Sequence, residues 1–312
     1  MSTSSVSAVD LSIIIASYNT KDLLRECLKS IYDSTRDIRF EVIVVDDCST
    51  DGSAEMVSEF FPEARLIRNT TNLRYAKVNN AGLRAALGRY GLLLNSDVVV
   101  RPGAFEALVR FMDDHPDAAA AGPKLLNPDG SVQHCIRSFP RLVPMAFQSL
   151  GLHKIWPGNP ITEIYYNTRF DYGRAQTVQS IGTTSFIIRR STWETYGTLD
   201  ERLTLAFVDL AYCHMLGQNK QNIYYVPDAV VLHYSGQSIN KDGLREIRLM
   251  HQELRKFYDY YIATEHNPLS RMLIHAGIWL REKIKLAEYE LGGDKRVFST
   301  PGVSATGNPR NR

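Results

Sequence analysis

The sequence predicts an α/β fold, a mostly parallel sheet with helices on both faces, followed by a helical C-terminal region. Three observations carry this expectation. Short aliphatic or β-branched runs alternate with amphipathic stretches at helical spacing, each of those runs ends in polar residues, and from Asp242 onward the pattern is helical. With 312 residues, 44% apolar and 22% charged, the chain can bury one large core and carry an appendage.

Taken in order, "LSIIIA" at residues 11–16 reads as the first strand and "SYNT" as a loop. Leu23, Leu24, Cys27, Leu28 and Ile31 then recur at helical spacing. "FEVIVVDD" is a second strand, "CSTDGS" a loop and helix cap, and "AEMVSEFF" a helix. A short strand "ARLIRN", a helix over 76–87 and the strand "YGLLLNSD" follow. Residues 101–121 read as a helix opened by Pro102, and "AGPKLLNPDGSVQ" as a strand with a Pro-Asp-Gly turn. Residues 138–177 are irregular, 181–190 are strand-like, and "NIYYVPDAVVLHYSG" reads as two short strands. The expected organisation is a flexible N-terminus (1–10), an α/β domain (11–241), a helical region (242–292) and a tail of disordered composition (293–312).

Bulk properties narrow the partners. A net charge of +2 gives no sign of a nucleic-acid protein. Cys27, Cys48, Cys135 and Cys213 are widely spaced with no paired motif, which suits reduced thiols better than a disulfide framework or zinc site. The first ten residues lack the features of a signal peptide, and no apolar run approaches the ~20 residues of a membrane span. A cytoplasmic location, peripheral to the membrane at most, is therefore expected.

In open α/β sheets, ligands collect beyond the carboxyl ends of the strands. The residues expected there are Ser17, Tyr18 and Asn19, then Asp46 and Asp47, then Asn95, Ser96 and Asp97. The run "LLLNSDVVV" poses the sharpest question, because burying a lone ionised carboxylate costs several kcal/mol unless a cation or several donors meet it. Asp97 must therefore end a strand or hold something.

Five blocks, "SIIIASYNTKDLLRECLKSI", "EVIVVDDCSTDGSAEMV", "LLLNSDVVVRPGAFEALVRFM", "GPKLLNPDGSVQ" and "YVPDAVVLHYSG", occur in that order. Together they resemble the family 2 inverting glycosyltransferases of the GT-A fold, most closely the rhamnosyltransferase-like branch, over about residues 11 to 290. The resemblance implies a nucleotide-sugar donor and a divalent cation, Mg²⁺ or Mn²⁺. In this reading Asp46 and Asp47 hold the nucleotide, with capping by Ser49, Thr50 and Asp51 as their structural alternative, and Tyr18 packs on the base or in the core. "NSD" stands where the family carries a DxD-type signature, so Asp97 resembles the cation-binding carboxylate while Asn95 replaces the first acid. His233 matches a late histidine of the cation shell.

The segment "DERLTLAFVDLAYC" matches the family's base region. It offers Asp209, with Ala211 where related chains have a further acid. The implied base is Asp209, its structural alternative being a helix N-cap. Arg74 and Lys77 stand where the family pattern has Gly and a small residue. They either reach the diphosphate or are solvated charges at a helix start.

In the stretch 268–291, Leu269, Met272, Leu273, Ala276, Leu280, Ile284 and Ala287 fall on one helical face, with Arg271, Trp279, Arg281, Lys283 and Lys285 around it. Such a face suits a membrane surface or packing on the main domain.

The activity implied is transfer of L-rhamnose from dTDP-rhamnose to a saccharide or lipid-linked acceptor, with possible homo-oligomers. The alternatives are a UDP-hexose-dependent enzyme of the same fold and a weakly active nucleotide-sugar-binding subunit of a membrane assembly complex.

Overall fold

A computed structural model describes residues 9–139, 169–204, 206–234 and 243–291, with 155, 156, 159, 160 and 167 as isolated positions. Most of residues 1–10, most of residues 138–177, and residues 293–312 lie outside the described residues.

The strands are β1 Leu11–Ser17, β2 Phe40–Asp46, β3 Arg65–Arg68, β4 Tyr90–Asn95, β5 Val98–Val100, β6 Ala118–Leu126, β7 Gln176–Thr177, β8 Ser185–Arg189 and β9 Asn222–His233. The helices are α1 Lys21–Ser34, α2 Ser53–Phe60, α3 Tyr75–Ala85, α4 Ala104–Asp114, α5 Arg190–Tyr196, α6 Val208–Gln218, α7 Gly243–Tyr261 and α8 Pro268–Glu290.

The sheet runs β3-β2-β1-β4-β8-β6-β9-β5, with β7 paired to β9. Its first four strands are parallel. The remainder is mixed: β8 is antiparallel to both β4 and β6, β6 and β9 are parallel, and β5 is antiparallel to β9.

Side chains of the central strands alternate between two cores, as period-2 geometry requires. Ile13, Ile15, Val42, Val44, Leu92 and Leu94 join α1, α2 and α4 on one face. Ile14, Ile43, Val45 and Leu93 join α3, α5 and α6 on the other. Each fully buried aliphatic side chain contributes about 1.5–3 kcal/mol, and burial on both faces explains why these strands read as unbroken apolar runs. Gly82 lets α3 approach β1, because a Cβ there would lie 2.2 Å from Ile14 Cγ2.

Two elements differ from the sequence expectation. Residues 118–121 belong to β6 rather than to the preceding helix, since α4 ends at Asp114 and all four alanines are buried within the sheet. "NIYYVPDAVVLH" is one strand, not two. Its register against β6 shifts between the Pro123–Val226 and Lys124–Val230 pairs, so Pro227 and Asp228 sit in an irregularity, where a residue without a backbone donor is tolerated.

Helices α7 and α8 share a small core of Leu254, Tyr258, Ala263, Ile274 and Ile278. Arg281 lies buried in their interface, 2.7 Å from His251 Nε2, and burial pushes the His251 imidazole down to about 4. Arg281 therefore does not rim the exposed apolar face. That face, from Leu269 through Leu273 to Ile284, is exposed. No helix among the described residues is long and apolar enough to cross a membrane.

Candidate active site

Strand register brings the polar residues together. Ser17 is level with Asp46, and Ala16 with Asn95, so β1, β2 and β4 end along one edge. Ser17 Oγ, Thr20 Oγ1 and Ser96 Oγ form a buried chain with spacings of 3.1 and 3.0 Å. Asn19 accepts from the Thr50 amide at 2.8 Å, and its own N–H donates to Ser49 Oγ, tying the first loop to the second. Tyr18 is exposed.

The two neighbouring acids differ. Asp47 has both oxygens engaged: it accepts from Asn69 Nδ2, Leu73 N and Arg74 N at 2.8–3.0 Å. Asp46 accepts from Ser49 N through Oδ2, while its buried Oδ1 has no hydrogen-bond partner among the described residues.

Asp47 also explains the backbone of Arg74, which adopts φ 71° and ψ 168°, a region essentially reserved for glycine. Two amide bonds to one carboxylate hold the strained turn. Arg74 is half-buried and Lys77 exposed.

Asp97 lies where the chain leaves β4, paired with β1, and enters β5, paired with β9. It is 3% exposed, its carbonyl accepts from Tyr234 N, and its Oδ1 faces His233 Nε2 at 3.4 Å. His233 Nδ1 is 2.8 Å from Gln133 Oε1. Among the described residues no group of three or more His, Cys, Asp or Glu gathers as a metal site. The Asp97–His233 pair nonetheless fits Mg²⁺ or Mn²⁺. One hard oxygen and one imidazole nitrogen face each other, and these ions commonly complete their shells with phosphate oxygens and water.

Asp209 occupies the second position of α6; the cap is Phe207, at φ 61°, so the aspartate is not the N-cap. Burial raises its carboxyl above the ordinary carboxylate value, against amide hydrogen bonds from Leu210, its own N–H and Thr183. Ala211 is buried in the apolar core.

Sequence reasoning missed Tyr75, which joins the two ends of the candidate site. Its Oη lies 2.8 Å from Thr183 Oγ1 and 3.4 Å from Asn95 Oδ1, and both Asp209 and Asp97 act on it electrostatically. Burial, with both carboxylates adding to it, keeps this phenol protonated far above neutrality. Nothing in the sequence marks it, because Tyr75 opens α3, far along the chain from Thr183.

The second end of the site is braced from the C-terminal helices. Phe207 stacks on Phe257 of α7 at 5.6 Å, and fully buried Glu253 accepts from Thr204 N at 2.6 Å. Tyr261 donates to Asp200, and Lys256 to the Arg202 carbonyl.

The comparisons agree with this architecture. The family described as "Glycosyl transferase family 2" matches residues 12–193. An N-acetylglucosaminyl-diphospho-decaprenol L-rhamnosyltransferase of Mycobacterium tuberculosis is 28% identical over 268 residues, spanning 82% of this chain and 85% of that protein.

Among solved structures, the mannosyltransferase PcManGT from Pyrobaculum calidifontis in complex with GDP-Man and Mn²⁺ aligns with TM-score 0.56 at 19% identity. The alignment covers 92% of this chain and 78% of that one. GalNAc-T7 with UDP, GalNAc and Mn²⁺ aligns with TM-score 0.56 at 15% identity, over 80% of this chain but only 50% of that one. These two show the shared GT-A fold. With the family match covering more than half of its length, the chain belongs to glycosyl transferase family 2.

Proposed function

We propose that the protein is an inverting glycosyltransferase that moves L-rhamnose from dTDP-rhamnose to a hydroxyl of a saccharide or lipid-linked acceptor, with Asp209 as the general base. The observation that supports this reading is that Tyr75 Oη, 3.4 Å from Asn95 Oδ1 and 2.8 Å from Thr183 Oγ1, links the strand end that leads to Asp97 with the residue whose amide meets the desolvated Asp209. The Mycobacterium relative's name supports the choice of sugar and of lipid-linked acceptor.

Asp46 and Asp47 form the nucleotide end, Asp46 offering a free oxygen and Asp47 shaping the loop over residues 69–74. In this reading Ser17, Asn19, Asn95 and Ser96 complete that wall, Tyr18, which is exposed, would meet the base, and Arg74 and Lys77 would reach the diphosphate. Asp97 and His233 would hold Mg²⁺ or Mn²⁺, as the ligands in the two solved structures suggest. Bound there, a divalent cation supplies charge neutralisation for the departing nucleoside diphosphate. Asp209 accepts the acceptor's hydroxyl proton as oxygen attacks the anomeric carbon; its raised pKa brings it closer to the operating pH, where a base is most effective.

The exposed face of α8 is the surface for a lipid bilayer, with Arg271 and Lys283 at its edge.

The test is a thermal-shift screen of dTDP, UDP and GDP with Mn²⁺, followed by assays of dTDP-rhamnose turnover. A preferred response to dTDP with slow donor hydrolysis is the expected result. A response to UDP alone would replace the donor assignment, and nucleotide binding with no donor hydrolysis would make the protein a binding subunit.

A further inference from the structure

The turn after β6, "NPDGSVQ", carries a side-chain chain that no catalytic role above absorbs. The Asp129 carboxylate can only accept, and it takes both the Ser131 hydroxyl proton (2.6 Å) and the Ser131 amide (2.9 Å). Those hydrogen bonds hold the carboxyl below its ordinary value, so it stays ionised. With its one proton given away, Ser131 Oγ accepts from Asn127 Nδ2 at 2.9 Å. That fixes the Asn127 amide, whose Oδ1 accepts from Gln133 Nε2 at 3.0 Å. The Gln133 amide is fixed in turn, with its Oε1 2.8 Å from His233 Nδ1. An oxygen there requires the imidazole hydrogen on Nδ1. In the neutral ring, Nε2 is then left with a lone pair directed at Asp97 Oδ1, 3.4 Å away.

We infer that Asn127, Asp129, Ser131 and Gln133 form a positioning relay that sets the His233 tautomer, so that Nε2 and Asp97 present two acceptors to a divalent cation. The inference rests on the proposed role of Asp97 and His233. Without the relay, His233 could carry its hydrogen on Nε2 and donate it to Asp97, closing the pair on itself. Hydrogen bonding of the distal nitrogen is the usual device by which proteins prepare a metal-binding histidine. The relay reads outward from a single buried ring to an exposed turn whose backbone is independently locked: Asn127 N–H donates to Ser131 O, Gly130 N–H to Asn127 O, and Gln133 N–H to Leu125 O.

The experiment uses the full chain, ¹⁵N-labelled on histidine, with long-range ¹H–¹⁵N spectra of the metal-free protein and Mn²⁺ titration in the presence of dTDP. His233→Ala assigns the resonance and tests the cation site itself. Wild type is expected to show the hydrogen on Nδ1 and a bare Nε2, and a ring carrying hydrogen on both nitrogens across the whole pH range overturns the relay. Gln133→Leu is expected to move it to Nε2, or to mix the two forms, and to weaken Mn²⁺ binding by about 10- to 100-fold. Gln133→Glu keeps an oxygen at Nδ1 but sets its other oxygen against Asn127 Oδ1, so it is expected to restore the Nδ1–H signature with the outer link broken. A wild-type ring protonated on Nε2, or a Gln133→Leu variant that keeps the Nδ1–H signature and binds Mn²⁺ within about two-fold of wild type, overturns the relay while leaving the cation site standing. Unchanged Mn²⁺ binding in His233→Ala instead removes the cation site, and the relay's purpose with it.

Discussion

The two ends of the site are held in different ways. Asp46, Asn95 and Asp97 stand on or just beyond strands of the central sheet, where register against β1 fixes their level and burial on both faces fixes the strands. Asp209 stands at the start of α6, after a loop whose left-handed Phe207 stacks on Phe257 of α7. The first end is built by the sheet edge where this fold class places its ligands. The second is packed against a helix some fifty residues further along, through Phe257 and Glu253.

The difference can be broken from either side. The largest effect is expected from Asp97→Ala: Mn²⁺-dependent stabilisation by nucleoside diphosphate should vanish, and transfer with it, as read by thermal shift and product formation. Undiminished Mn²⁺-dependent binding would remove Asp97 from the cation site.

Phe257→Leu loosens the other end alone. It forfeits two stacks, on Phe207 and on Tyr261, each worth about 0.5–1.5 kcal/mol, and transfer should fall several-fold while donor affinity is unchanged. Equal losses in both would show that α7 supports the whole fold and not the Asp209 loop. Arg74→Gly acts in the opposite sense on the strand-borne end. Relief of a backbone outlier should raise stability by about 1 kcal/mol in thermal melts, and loss of the guanidinium should weaken diphosphate binding.

The smallest effect on the fold is expected from Leu273→Glu. The side chain is exposed, so the melting temperature should hold within the range of ordinary surface changes, while flotation with anionic vesicles should drop.

Legibility in the sequence followed the same division. β1, β2 and β4 were readable because strands buried on both faces need continuous apolar runs, and their terminal polar residues follow directly. The alanines of "DAAAAG" misled because alanine is the best intrinsic helix former, whereas packing within the sheet decides their state. Pro227 and Asp228 broke the pattern of β9 without breaking the strand. Asp209 could be singled out by resemblance, but its brace from Phe257 and Glu253, the bridge through Tyr75 and Thr183, and the partnership of Gln133 with His233 are long-range contacts with no periodic signature. The apolar stripe of α8 could be read as a face, yet which way it turned depended on Ile274, Ile278 and Arg281 meeting α7.

Asp209→Asn tests the central division of labour most directly. Asn keeps the shape and one acceptor oxygen but cannot take up the acceptor's proton. Single-turnover transfer at saturating donor should fall by about 10²–10⁴-fold with donor affinity unchanged. The variant should also be more stable than wild type at neutral pH. The folded state binds the Asp209 proton more tightly than the unfolded state does, so wild type loses stability as pH rises from the ordinary carboxylate value of 3.8 through the raised one, and Asn escapes that loss. Below 3.8 the two melting temperatures should converge. Transfer within a few-fold of wild type, accompanied by weaker donor binding, would contradict the account and make Asp209 a binding residue.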